Sequence, residues 1–431
     1  MTRTPRTALT LLVAALWCAF FPRTARADVQ DTTRAVLDSL TDRLERAEHA
    51  LERLQTQMQE QERTKVATRQ HNHVELSGTV LMNGFYSNAK VNNSDVPTFV
   101  ATPQDTTGLP NGYGGAQVRQ SRIGLTMTGA RALGAGLTGD IQLDFYGGQP
   151  SASGARPFPV PRIRTAFVRL DWRHLGLLMG QETQVISPWT PSSFASVGVP
   201  GFTNAGNLWF WLPQVRLTYE VGSRPRVGLQ GAVVAPNLGF SSPSYSVATQ
   251  PDSAEKSSRP FVQGRAYIGW GDGETETQIG VGGHRGWIAT TGDSTLASTA
   301  VTVDARIALG SHVLLMGEAF NGSALASLGG GGIGQEFGVN GIPVDTRGGW
   351  VQLNLRPSFA WEIGGGWGMD DPDDTDLPAS GRMKNMQAEG HIHWRPGGGL
   401  ILGGEVLRLQ TTYASVVEDA WHVNLFSGLS F

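Results

Sequence analysis

The chain has 431 residues, among them 56 glycines and one cysteine, with 34 basic and 37 acidic side chains for a net charge of -3. An acidic balance argues against nucleic acid as a partner, and a single thiol builds neither a disulfide framework nor a cysteine metal site. Past residue 27 no run of 18 apolar residues remains, which excludes a helical membrane span but not a closed barrel whose strands are apolar on one side only.

Residues 1–27 read as a secretory signal peptide cut before Asp28: Arg3 and Arg6 precede an apolar run from Ala8 to Phe21, and small residues follow at Ala25 and Ala27. Cys18 lies inside this segment, where Leu16 and Trp17 are poor context for lipoprotein processing. Loss of Arg3, Arg6, Arg23 and Arg26 takes the 34 basic residues to 30 against 37 acidic ones, a net of -7.

Residues 28–70 form the next unit. From residue 30 to 70 the chain is charged and free of glycine and proline, and Leu37, Leu40, Leu44, Ala47, Leu51, Leu54, Met58 and Gln61 recur at 3,4 spacing. That is a heptad seam, and about four heptads of coiled coil imply an oligomer of roughly 45 Å stalk length. The alternative is an amphipathic helix lying on its own domain.

From about residue 73 to Phe431 the period is two. Sixteen strands are predicted, at roughly 73–88, 117–130, 136–148, 162–172, 174–186, 211–221, 226–236, 260–270, 276–288, 296–309, 312–322, 347–357, 359–369, 382–396, 400–412 and 414–431. Short turns such as GSRPR at 222–226 and RPGGG at 395–399 alternate with long connections such as 89–116, 187–210 and 323–346. Such sorting is the pattern of an up-and-down transmembrane barrel with both ends on the periplasmic side.

Several strands separate into two faces. Ile141, Leu143 and Phe145 alternate with Asp140, Gln142 and Asp144, and Val215, Leu217 and Tyr219 with Gln214, Arg216 and Thr218. Trp172, Trp209, Trp211, Trp270, Trp287, Trp361, Trp394 and Trp421 near strand ends are expected to form interfacial girdles. Two strands break the pattern: parity changes between Arg162 and Arg169, and 312–322 is apolar on both sides in places. A subunit interface or a misjudged register would each explain them.

The final strand, WHVNLFSGLSF, places Trp421, Val423, Leu425, Leu429 and Phe431 on one side. A terminal aromatic of this kind resembles the insertion signal of outer-membrane barrels. With the stalk, the chain resembles the sixteen-stranded trimeric porins, and among them the DcaP-like porins with an N-terminal periplasmic coiled coil. The resemblance implies a homotrimer in the Gram-negative outer membrane, in contact with lipid and lipopolysaccharide, inserted by the barrel-assembly machinery through Phe431, with peptidoglycan a further partner for the stalk. It also implies passive diffusion of small hydrophilic solutes, with dicarboxylates and other small organic anions favoured, no enzymatic activity, and a third outer loop folded into the lumen. The matching segment here is 187–210.

By strand parity Arg122, Arg216, Arg265, Arg306 and Arg356 face the lumen, with Arg162 and Arg164, across from Asp140, Asp144, Glu276, Glu318, Glu389 and Glu405. A ladder of arginines would draw anions; alternatively the two signs pair to stiffen the wall and set a transverse field. No cofactor or metal is predicted. His391 and His393 share a strand face, but two ligands are not a site. The acidic run DDPDDTD at 370–376 needs no cation, and GGGGIG at 329–334 lacks the lysine of a phosphate loop and reads as a flexible tip. A barrel hydrolase would need a nucleophile beside His284, His391 or His422, and none can be singled out. A structural barrel with an occluded pore, tethered by its stalk, is the remaining alternative.

Overall fold

The structure is a computed structural model that describes residues 72–102, 112–147, 159–237, 251–290 and 294–431. The expected signal peptide and the seam Leu37, Leu40, Leu44, Leu51, Leu54 and Met58 lie outside the described residues.

The described chain is one closed antiparallel sheet. Its strands are β1 (His73–Ser87), β2 (Tyr113–Gln117), β3 (Arg122–Ala132), β4 (Ala135–Gly147), β5 (Val160–Asp171), β6 (Leu175–Thr183), β7 (Trp211–Gly222), β8 (Arg226–Val234) and β9 (Phe261–Trp270). They continue with β10 (Thr277–Ala289), β11 (Thr295–Leu309), β12 (Val313–Ser323), β13 (Asp345–Ser358), β14 (Trp361–Pro372), β15 (Arg382–Gly397), β16 (Leu400–Tyr413) and β17 (Val417–Ser430). Both β2 and β3 pair with β1, β2 along Asn83–Ser87 and β3 along His73–Thr79, so they share one position and the barrel has sixteen staves. The predicted strand 117–130 is thus divided, with Arg119 and Gln120 at the break.

Closure falls between β1 and β17, in register from Thr79 opposite Ser430 to Ser87 opposite His422. Phe431 completes the seam: its amide donates to the Gly78 carbonyl at 3.1 Å and its carbonyl accepts from the Gly78 amide at 3.0 Å. The ring lies over Gly78, where an added Cβ would come within 2.6 Å of it, so only glycine fits below the terminal aromatic.

Alternation decides what each face does. Val80, Met82 and Tyr86 of β1 and Trp421, Val423 and Leu425 of β17 are exposed outward, whereas Asn83, Ser87, His422 and Asn424 are buried inward. Similar rows of exposed Val and Leu run along β7, β8, β11 and β13. An apolar band continuous around a barrel whose backbone bonds are all closed suits hydrocarbon and not water. Trp270, Trp361, Trp394 and Trp421 are exposed on this outer surface, and Trp361 stacks on Trp394 at 5.6 Å. Trp209, expected in a girdle, is instead buried inside the barrel against Phe210 and Trp211.

The two irregular strands have local causes. Pairing of β4 with β5 shifts between Gln142–Thr165 and Leu143–Ile163, a β-bulge that turns both Arg164 and Thr165 inward and reverses parity beyond them. On β12, Leu314 and Met316 point inward and are buried because Phe202 and Trp189 of the 187–210 segment pack over them. Neither feature calls for a subunit contact.

Short turns gather at one barrel end and, apart from the three-residue turn between β16 and β17, longer connections at the other. Three long connections fold inward. The segment 88–102 hangs on the wall through Thr98 and Val100: the Thr98 carbonyl accepts from Asn385 and Gln387, and the Val100 carbonyl from the Tyr413 hydroxyl. The segment 184–210 crosses the lumen. The segment 324–344 buries Leu325, Leu328 and Ile333, and its glycine run, expected as a flexible tip, is packed. Gly330 there has φ 126°, and an added Cβ would lie 2.5 Å from Asn204 Oδ1.

Candidate channel constriction

The segment 184–210 is held by lumen-facing polar side chains taken in turn around the wall. Glu318 of β12 accepts from the Trp189 amide at 2.8 Å, from Ser187 Oγ, and from Trp350 Nε1 at 3.2 Å. Gln352 of β13 brackets Ser192, accepting from its amide at 2.7 Å and donating to its carbonyl at 3.0 Å. Glu405 of β16 accepts from Ser193 Oγ and the Phe194 amide, both at 2.6 Å. Asn83 of β1 donates to the Phe194 carbonyl at 3.0 Å. Gln120 accepts from the amides of Val197 and Gly198, and Gln387 and Asn385 hold 202–204. Buried amides of a loop need such partners, and each bond to a charged acceptor contributes about 1.5–3 kcal/mol.

These contacts make the lumen lopsided. Along β12–β17 and β1, inward residues such as Asn354, Gln387, Thr411 and Asn424 are buried beneath the loop. Along β3–β8, the inward Arg122, Asp140, Gln142, Glu182, Arg216, Thr218 and Gln230 are only half-buried. The β3–β8 arc is thus less covered by the loop than the opposite wall.

The expected lumen residues divide by what they touch. Arg265 forks onto Asp304, with Nε to Oδ2 at 2.8 Å and Nη2 to Oδ1 at 2.6 Å, and is sealed. Arg356 is paired with Glu362 at 2.8 Å, and Arg306 donates to the Glu276 carbonyl rather than to a carboxylate. Arg162 pairs with Asp144 at 2.6 Å, and Arg164 approaches the same carboxylate at 3.4 Å. Both arginines also donate to the loop, to the carbonyls of Gly198 and Val197, and Arg164 lies over Trp211 at 4.2 Å. Arg122 has no hydrogen-bond or ion-pair partner among the described residues, and Arg216 donates only to Gln214 and the Thr183 carbonyl. Asp140 accepts from Thr126 and Thr165 and pairs with no arginine among the described residues.

The inward faces of β3–β8 carry Arg122, Arg162, Arg164, Arg169, Arg216 and Arg226 together with Asp140, Asp144, Asp171, Glu182 and Glu220, and Arg169 pairs with Asp171 at 2.8 Å. The acids on the opposite wall, Glu318, Glu362 and Glu405, are spent on the loop or on its neighbours. Sequence parity placed these charges but missed the anchors Gln120, Gln352, Asn385 and Gln387, whose signal was a neutral amide on the lumen parity. It also missed Arg119, which grips Asp95 and lies over the Tyr146 ring at 3.8 Å. The acidic run is used internally: Asp370 accepts from Thr346 and Ile333, and Asp371 pairs with Arg347 and Lys384.

No protein-family model and no curated protein matches the chain in sequence. Solved structures do match in fold. The outer membrane channel DcaP of Acinetobacter baumannii superposes with a TM-score of 0.64 at 19% identity, over 84% of this chain and 99% of that one. An anion-selective porin from Comamonas acidovorans gives 0.52 at 16% identity, over 84% and 100%. The chain has the porin-type barrel fold.

Proposed function

We propose that the protein is an outer-membrane diffusion channel for small hydrophilic solutes that favours small organic anions, dicarboxylates among them. The observation that carries this reading is the asymmetry of the lumen. The loop 184–210 and the acids that hold it fill one wall, and the less covered arc opposite carries Arg122 and Arg216, which form no ion pair with a carboxylate among the described residues. A guanidinium stays charged at every relevant pH and presents a planar fork to carboxylates, so such an arc lowers the barrier for anions. The two structures of similar fold, an outer membrane channel and an anion-selective porin, agree with this.

Assembly as a homotrimer carrying a periplasmic coiled coil over 28–70 belongs to the same reading, supported by the heptad seam. So does insertion through Phe431, supported by its outward ring and its place at the seam. The domain division, with a signal peptide at 1–27 and the barrel at 71–431, completes it.

Swelling of proteoliposomes tests the function. Succinate is expected to enter faster than a neutral or dicationic solute of similar size. Equal rates for all three would remove the anion preference, and no swelling would favour a structural barrel whose three inward segments occlude it.

A further inference from the structure

The structure brings a third ligand to the two histidines that sequence spacing left as a pair. Glu362 of β14 faces His391 and His393 of β15, and the ligand atoms of the three residues lie within 4.8 Å of one another, all buried. The donor atoms converge on one carboxylate oxygen: Glu362 Oε1 is 3.2 Å from His393 Nδ1 and 3.9 Å from His391 Nε2. Each imidazole has its other nitrogen on a second carboxylate. His391 Nδ1 is 3.1 Å from Glu389 Oε2, and His393 Nε2 is 3.2 Å from Glu405 Oε1.

This is the arrangement that metal-bound imidazoles require. When the outer nitrogens donate to Glu389 and Glu405, the inner nitrogens carry lone pairs aimed at the Glu362 oxygen, and two acceptors and an anion facing one another call for a cation between them. An independent observation points the same way. His391 Nε2 is buried with no hydrogen-bond partner among the described residues, and so is Asn354 Oδ1 beside it. Both border the space left by Gly364, where an added Cβ would lie 2.5 Å from each.

We propose that Glu362 Oε1, His391 Nε2 and His393 Nδ1 form a site for a divalent transition-metal ion of the zinc type. Two imidazoles and one carboxylate suit Zn²⁺ and its first-row neighbours better than Mg²⁺ or Ca²⁺. Bonds of about 2.0–2.2 Å to an ion require the three groups to draw together, and side-chain rotation supplies this without moving the strands. The fourth position falls to Ser192 Oγ of the constriction loop, which already donates to Glu362 Oε1 at 2.6 Å, or to water from the cavity of about 40 Å³ that reaches Ser192, Glu389 and Glu405. Arg356 and Arg395 approach Glu362 through its other oxygen, so Oε1 meets only Ser192 and the two histidines among the described residues. Three carboxylates against two guanidiniums give the ion an acidic surrounding. Occupancy ties the loop to the wall at Ser192.

Titration of the purified, chelator-stripped, full-length protein with Co²⁺ tests the site. One ion per chain is expected, with the strong visible absorption of low-coordinate Co²⁺, displaced by one equivalent of Zn²⁺. His391→Gln removes the orphaned nitrogen and is expected to abolish the band, whereas Glu389→Gln weakens binding about 10- to 100-fold. Heat-modifiable gel mobility reports whether each variant is a folded barrel. Absence of Co²⁺ and Zn²⁺ binding by the folded wild type, or equal binding by folded His391→Gln, would overturn the proposal. If His391→Gln does not fold, Gly364→Ala, which fills the space beside Nε2, takes its place with the same two outcomes.

Discussion

The Phe194 amide donates to Glu405 Oε1 at 2.6 Å, across the lumen from the strands that flank its own loop. One lumenal carboxylate thus spends its charge on fixing a loop. Glu405→Ala leaves that amide, the Ala195 amide and the Ser193 hydroxyl without their acceptor, at about 1–3 kcal/mol for each group that stays buried. Single-channel recording is expected to show a larger and noisier conductance than wild type. An unchanged trace would mean that Glu405 does not hold the constriction.

Arg265 differs from Arg122 and Arg216 in forking onto a buried carboxylate. Arg265→Met strands the buried Asp304 carboxylate, and loss of one partner of a buried pair costs about 3–5 kcal/mol. The variant is expected to unfold at clearly lower denaturant on heat-modifiable gels while its ion selectivity, once inserted, stays near wild type. A large selectivity change in a fully stable Arg265→Met barrel would contradict the assignment of this residue to the wall.

Gly330 allows the outer segment 324–344 to meet the constriction loop. Gly330→Ala places a methyl 2.5 Å from Asn204 Oδ1 at φ 126°, a strain of about 1–3 kcal/mol. Limited proteolysis of inserted protein is expected to cut within 324–344 in the variant and to spare the wild type. Equal resistance would place the segment's anchorage elsewhere.

Docking of that segment also depends on pH. Burial pushes the Glu336 carboxyl up to about 8 from its ordinary 4.5. An acid with a raised pKa in the docked state holds a proton that the free loop releases, so docking is strongest below about 4.5 and weakens as pH climbs to about 8. Protease cutting in 324–344 is expected to increase from pH 5 to pH 8, and Glu336→Gln to remove the dependence. A wild-type loop equally resistant at both pH values would refute this.

The barrel was largely legible in the chain. Period-two alternation is imposed by lipid on one face and polar groups on the other, and it located every stave to within a few residues. What escaped it were events that break or ignore parity. The bulge at Arg164 and Thr165 adds one residue with no composition signal of its own. The apolar inward face of Leu314 and Met316 made sense only once Phe202 covered it, a contact more than a hundred residues distant in sequence. The glycines of 329–334 looked like a free tip because glycine serves both flexibility and close packing, and only neighbours distant in sequence, Trp209, Asn204 and Leu208, distinguish the two. For the site, parity listed the lumenal charges but not which were neutralised. Arg265 and Arg122 have the same inward orientation, but Asp304 pairs with Arg265 whereas Asp144, opposite Arg122, is taken by Arg162 and Arg164.

The most direct test is the zero-current potential and single-channel conductance of the purified protein in a planar bilayer under a salt gradient, for wild type and Arg122→Gln/Arg216→Gln. The channel reading predicts open conductance with an anion-selective potential in the wild type and a shift toward zero or cation preference in the double variant, with conductance retained. Folded, inserted protein that conducts nothing, or a potential that the two substitutions leave unchanged, would contradict it.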